Sequence, residues 1–325
     1  MMMGLLTALA AGLASATMFA SIASGALMSL VLFYLAPLPL MVAALGFGSI
    51  TALVGSIIAA LGLGVVFGFP YMAAFALTVA LPAWWLGHLA LLARPVYADP
   101  QSPQPAATAP VLDWYPVGRI LVWIAVFASL TTIGALMTLG TDGATITAGL
   151  RRGLMRIMGA RPDGMTSGDL ERVADALAVI APAAATVIAM MTLTFNLWLA
   201  ARVTVASGRL NRPWPDLRAT TLPRTVLFAL IAVLVLCFTG GLVALAAQIT
   251  SAALLMAYGM TGFAVLHTLT QAYSGRAFVL GATYAATLFV GWPLIGMVGL
   301  GLADAVFGIR QTYRMRRGPP AAPPA

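Results

Sequence analysis

No Lys, Arg, Asp or Glu occurs before Arg94. Residues 1–93 therefore carry no side chain with a full charge at neutral pH except a protonated His88. Few folds can use such a stretch. A membrane-spanning helix needs about 20 apolar residues, so residues 1–93 hold three long helices or four shorter ones. Only 8% of the 325 residues are charged and 61% are apolar, whereas a soluble domain carries roughly a quarter charged residues. With a mean hydropathy of +0.98, too few polar residues remain to cover a water-soluble globule. The expected fold is all-α, a polytopic transmembrane bundle of about 8–10 membrane helices plus one interfacial amphipathic helix.

Break points in the uncharged block fall at Ala36-Pro37-Leu38-Pro39, Gly46–Gly48, Gly62–Gly68 and Phe69-Pro70, where proline interrupts a hydrogen-bond ladder and glycine eases a bend. They predict helices near 4–31, 36–46, 48–66 and 70–93. The first lacks a basic leader and reads as a retained span. Residues 94–116, rich in Pro and Ala, read as an exposed loop. A C-terminal block, 117–317, begins with a span at 117–140. In 144–160, Ile146, Leu150, Leu154 and Ile157 share a face opposite Arg152 and Arg156. That pattern suits a helix on the lipid surface or one packed on the protein's own loops. Ser167, Asp169 and Glu171 suit the start of a helix running to about 205. Further spans are expected at 225–248 and 250–273, split near Gln248. The region 277–313 divides at Gly291-Trp292-Pro293, and the tail 318–325 reads as disordered.

Arginine placement sets the expected orientation. All 17 basic residues are Arg, and they sit singly or in small groups between apolar runs, as in cytoplasmic loops. The resulting net charge of +8 points to no nucleic-acid partner. The loop 202–224 and the Arg310–Arg317 cluster should both be cytoplasmic, giving about ten crossings with both chain ends inside. Arg151, Arg152, Arg156 and Arg161 then face outward. An eight-helix layout places them inside but misplaces the 202–224 loop.

Catalysis lacks parts. Two His, one Cys, nine acidic residues and no Lys provide no phosphate loop, zinc motif or nucleophile elbow. Cys237 alone forms no internal disulfide, and neither a metal nor a cofactor is expected. Polar groups at membrane depth are the functional candidates: His88, Asp175, Asn196, Gln248, His267, Gln271 and Asp304. His267 and Gln271 stand one helical turn apart, Tyr284 can join them, and Asp304 can pair with Arg276 or cap a neighbour. Asn196, His267, Gln271, Tyr284 and Asp304 are thus the candidate ligand-binding set. The alternative for each is an interhelical hydrogen bond. His88, beside Trp84 and Trp85, reads as part of an aromatic belt. Ala8, Gly12, Ala16, Ala20 and Ser24 form a row of small residues that can dock a membrane partner subunit or pack within the chain.

Several segments resemble the YybS-like family of bacterial membrane proteins, a domain of unknown function: PLPLMVAALGFGSITALVG, FNLWLAARV, SGRLNRPWPDLRATTLP, LHTLTQAYSGR and PLIGMVGLGLADAVFGIR. The resemblance covers most of residues 5–317 and implies a cytoplasmic-membrane protein. A remoter likeness is to the substrate-binding membrane subunits of energy-coupling-factor transporters, whose first helix carries an Ala-x-x-x-Ala docking row matched by Ala16 and Ala20. This chain is longer and lacks their ligand signature. The combined expectation is a non-enzymatic, multi-pass inner-membrane protein with a cytoplasmic C-terminus and the lipid bilayer as its surroundings. It would bind or move a small molecule; the competing expectation is a structural or interaction protein without a ligand.

Overall fold

The computed structural model describes residues 2–97, 111–158 and 167–317. The middle of the 94–116 loop, Arg161 and the tail 318–325 lie outside the described residues. The chain is an all-α, multi-pass membrane protein; among the described residues seven helices are long and apolar enough to cross a bilayer, or eight if one bent pair counts as a span. Two compact units divide it, residues 1–131 with 188–214, and 132–187 with 215–325.

In the first unit, α1 (Met2–Ala20) ends in a 3-10 turn at Ser21–Ser24. After it, α2 (Leu27–Leu35) continues through Ala36 into α3 (Pro37–Phe47), and α4 (Ser49–Phe67) follows. The first break therefore falls at Gly25, in the left-handed region at φ 69°, rather than near residue 31. Leu27–Phe47 forms one span, so the prolines do not end a helix as expected. Their missing N–H groups loosen the ladder, and side chains take up neighbouring carbonyls. Ser15 Oγ donates to Ala36 O at 2.6 Å and Asn196 Nδ2 to Tyr34 O at 2.9 Å.

The fourth span joins α5 (Phe69–Phe75), a π turn at Ala76–Ala80 and α6 (Leu81–Leu91), with Pro82 in the first turn of α6. The π turn precedes the proline, where a single widened turn absorbs the lost hydrogen bond. The core of this unit lies between α1, α3, α4 and α6, around Leu40, Met41, Ala44 and Ala52. The loop expected at 94–116 has structure at both ends. Strands β1 (Ala93–Val96) and β2 (Val111–Trp114) pair antiparallel, Ala93 opposite Trp114 and Val96 opposite Val111. An exposed Arg94–Asp113 ion pair at 2.8 Å spans them.

Both units share α7 (Val117–Met137) and α9 (Ser167–Ala206), because the divisions fall inside these helices. The 40 residues of α9 extend about 60 Å, twice a hydrocarbon core of about 30 Å. Its polar first turns can therefore stand outside the lipid. In the second unit, α8 (Gly143–Met158) buries Ile146 against Leu136 and Ile249. This end packs on helical residues of the protein rather than, as one expected arrangement has it, on its loops. At the other end Ile157 is 80% exposed.

Helices α10 (Arg224–Leu236) and α11 (Gly241–Leu269) replace the expected spans 225–248 and 250–273. The turn is made by Gly240, at φ 86°, and Gln248 lies inside α11, since glutamine is a good helix former. The region 277–313 breaks where expected, between α12 (Arg276–Phe289) and α13 (Pro293–Phe307). With 14 and 15 residues these extend about 21 and 22 Å, less than the hydrocarbon thickness. Helices α10, α12 and α13 are apolar but shorter than the seven that meet the length of a full span. A 70° bend separates α13 from α14 (Ile309–Arg317), at Gly308 with φ 62°.

Candidate functional site

The row of small residues on α1 is occupied by the chain itself. Ala8, Gly12 and Ala16 are buried. A Cβ on Gly12 would lie 2.5 Å from the Gly55 carbonyl oxygen, and one on Gly55 would lie 2.6 Å from that of Ala8. The backbones of α1 and α4 thus meet where glycine and alanine allow it. Ala20 is half-buried, and Ser24 Oγ shares a hydrogen bond with Ser29 Oγ at 2.5 Å.

Asn196, on α9, is 1% exposed. Both its donors are used, on Tyr34 O and on Thr192 O at 2.8 Å, while Oδ1 is buried without a partner among the described residues. His267 and Tyr284 meet as expected. His267 Nε2 lies 2.9 Å from Tyr284 Oη, and Arg276 Nη2 lies 3.4 Å from Nδ1. A guanidinium only donates, so Nδ1 accepts and Nε2 carries the proton toward Tyr284. Phe263 stacks on the Tyr284 ring at 4.9 Å. Gln271 does not join them, because α11 ends at Leu269 and Gln271 lies exposed in the following turn. Asp175 does not join them either. It is exposed on the polar start of α9 and pairs with Arg151 at 2.6 Å, and Glu171 lies 3.4 Å from the same arginine. His88 packs with Trp84 and Trp85.

Asp304 pairs with Arg310 rather than Arg276. Its carboxylate accepts from Arg310 Nε at 2.9 Å, Nη2 at 2.7 Å and the backbone N–H at 2.8 Å. The remaining Arg310 group, Nη1, donates to Arg218 O at 2.7 Å and Thr220 O at 2.9 Å. The side chains are 9% and 7% exposed. The left-handed Gly308 folds α14 back so that Arg310, six residues on, reaches the acid. In the sequence Asp304 is a candidate and Arg310 only the start of the basic cluster; what hides their pairing is the bend between them.

This pair lies in the wall of a groove of about 480 Å³, bounded by residues 219–227, α11 and the α13–α14 corner. Polar groups lining it include Thr221, Arg224, Tyr258, Thr261, Gln311 and Arg314. A wider, open groove of about 750 Å³ lies between α8 and the α10–α11 turn, lined mainly by glycine and alanine with Arg151, Cys237 and Gln248. Its arginine is already held by two acids. Among the described residues, no three His, Cys, Asp or Glu gather to hold a metal ion.

Other arginines from residues 202–218 also serve the fold. Arg212 donates to Ala90 O and Tyr115 O, each at 3.0 Å, closing the last turn of α6, and burial pushes its guanidinium below its ordinary pKa. Arg209 lies over Phe47 and Arg202 over Trp214. Asp216 is held below the usual carboxylate range, chiefly by its hydrogen bond from Arg218. Comparison with family models, curated proteins and solved structures returns no match.

Proposed function

We propose that this chain is a non-enzymatic protein of the bacterial inner membrane, with a cytoplasmic C-terminus, that binds a small molecule in the groove between α10, α11, α13 and α14. The observation that carries this reading is the groove itself. It combines cationic and hydroxyl groups with apolar walls from Leu222, Leu227 and Phe307, the mixture that orients a small ligand. Arginine-rich loops favour the cytoplasmic side for this end.

Extraction of the purified full chain followed by mass spectrometry should find a molecule at near-stoichiometric amount. Ala305→Trp, which places an indole in the groove, should lose it. Equal recovery from both proteins overturns the reading.

A structural role without a ligand is favoured by one specific observation: Asn196 and Ser15 are engaged on the carbonyls around Pro37. These two residues stitch helices. They therefore belong to the fold rather than to the binding site.

A further inference from the structure

We infer that the ligand of this groove carries a phosphate group, presented by an anionic phospholipid or by a soluble phosphate compound. The inference rests on the binding role proposed above and names the chemistry of what binds.

The groove's charges do not cancel. Arg310 is neutralised by Asp304 and has every guanidinium nitrogen hydrogen-bonded. It is therefore a structural cation, fixed in the wall. Arg224 and Arg314 also line the groove, and neither forms a hydrogen bond or ion pair within the described residues. Outside the lining, Asp216 is paired with Arg218 at 2.9 Å; Arg314 acts on it through its field. Two cations are thus left facing one space.

Phosphate suits that arrangement. Guanidinium groups donate to phosphate oxygens in a planar fork, and a phosphate monoester carries about −1.5 to −2 charges at neutral pH. Thr221 and Gln311 supply neutral donors on the same wall. The apolar residues beside them, Leu227, Val306 and Phe307, can accommodate an acyl chain or a compact organic body. Basic pockets between membrane helices near the interface commonly take acidic headgroups.

The test uses the full chain in nanodiscs of pure phosphatidylcholine, in nanodiscs containing phosphatidylglycerol, and in phosphatidylcholine nanodiscs with added glycerol 3-phosphate. Native mass spectrometry reads bound molecules and thermal unfolding reads the shift in midpoint. Retained phosphatidylglycerol with a raised midpoint supports a lipid source, and the same response to glycerol 3-phosphate supports a soluble one. In either case Arg224→Gln with Arg314→Gln should weaken binding roughly 25-fold, from about fivefold per arginine. Arg316→Gln, outside the groove's lining, should change it little.

No response to either phosphate compound overturns the inference, as does an unchanged response in the double variant or an equal loss in Arg316→Gln. Because neither Arg224 nor Arg314 holds another residue, the double variant should fold, and Ala305→Trp gives a second way to empty the groove. An uncharged molecule that is displaced by Ala305→Trp but indifferent to both arginines would refute the phosphate assignment while leaving the binding role standing. If no molecule is bound, both fail.

Discussion

Asp304 accepts three hydrogen bonds from one residue, and the arrangement has energetic consequences. A guanidinium out of water is tolerated only while its partners remain, and removing the carboxylate leaves a charge buried without compensation. Asp304→Asn should therefore destabilise the second unit by about 3–5 kcal/mol, read as a lowered unfolding midpoint in detergent. Exchanging both partners for apolar residues of similar volume should cost much less, and equal losses from the two changes would contradict this account. The pairing was only partly legible in the sequence. Asp304 stood out, but nothing in its spacing from Arg310 announces a 70° corner between α13 and α14. Asn196 was legible as an expensive polar group, and its role became clear only through the carbonyls that Pro37 and Pro39 disturb. Gln271 misled for a local reason, since helical periodicity extends on paper past the residue where α11 actually stops. Outside the membrane, Asp142 caps α8, accepting from the Thr145 backbone N–H at 2.9 Å and from its hydroxyl. These bonds, the hydroxyl's first, lower its pKa below 3.8. A lowered folded-state pKa means the cap stabilises fully above the ordinary carboxylate value and fades as pH falls through the folded one. Acidification below about pH 4 should thus weaken α8 in the native protein but not in Asp142→Asn, as hydrogen exchange over 143–150 would report.

Among the described residues, the pairs α1–α4 and α11–α13 bring backbone against backbone at glycine. In the first unit α1 and α4 approach at Gly12 and Gly55. In the second, a Cβ on Gly262 would collide with the Met297 carbonyl oxygen, and one on Gly301 with that of Tyr258. Lipid tails are as apolar as any side chain, so the gain in joining helices comes from close packing. Gly262→Val should force α11 and α13 apart at about 1–3 kcal/mol, whereas Gly296→Val, with nothing within 4 Å, should be nearly neutral. Equal midpoints for the two variants would show that the approach at Gly262 is not what holds the pair. Element boundaries in this chain followed backbone chemistry more closely than apolarity. Breaks marked by glycine at 48, 68, 240 and 291 have positive φ, and three of them lay near expected break points. The break at 240 was missed because apolar sequence runs straight through it. The opposite error occurred at Pro37, where a proline in the first turn of α3 let the span continue.

The second unit restricts how its ends can face the bilayer. Arg310 donates to the carbonyls of Arg218 and Thr220, Thr268 reaches Arg218 O at 3.5 Å, and Tyr313 donates to Leu269 O at 3.0 Å. The segment before α10, the end of α11 and the basic α14 therefore lie at one level and on one side. The arginine-rich segments belong on one face by their charge, and the hydrogen bonds require it independently of any crossing number. Arg276, which reaches His267 near the end of α11, brings the start of α12 to the same end. The chain leaves this end through α12 and returns to it through α13, each about 21–22 Å long. Single cysteines at Leu217 and Met315, both exposed, in a Cys237→Ser background should react with an impermeant maleimide from the same face. They should be labelled in inverted vesicles and protected in right-side-out cells, since this is the face rich in arginine. Labelling of both from the outside would reverse the orientation and keep the fold. Labelling from opposite faces could not coexist with the Arg310 hydrogen bonds, because no side chain spans a bilayer.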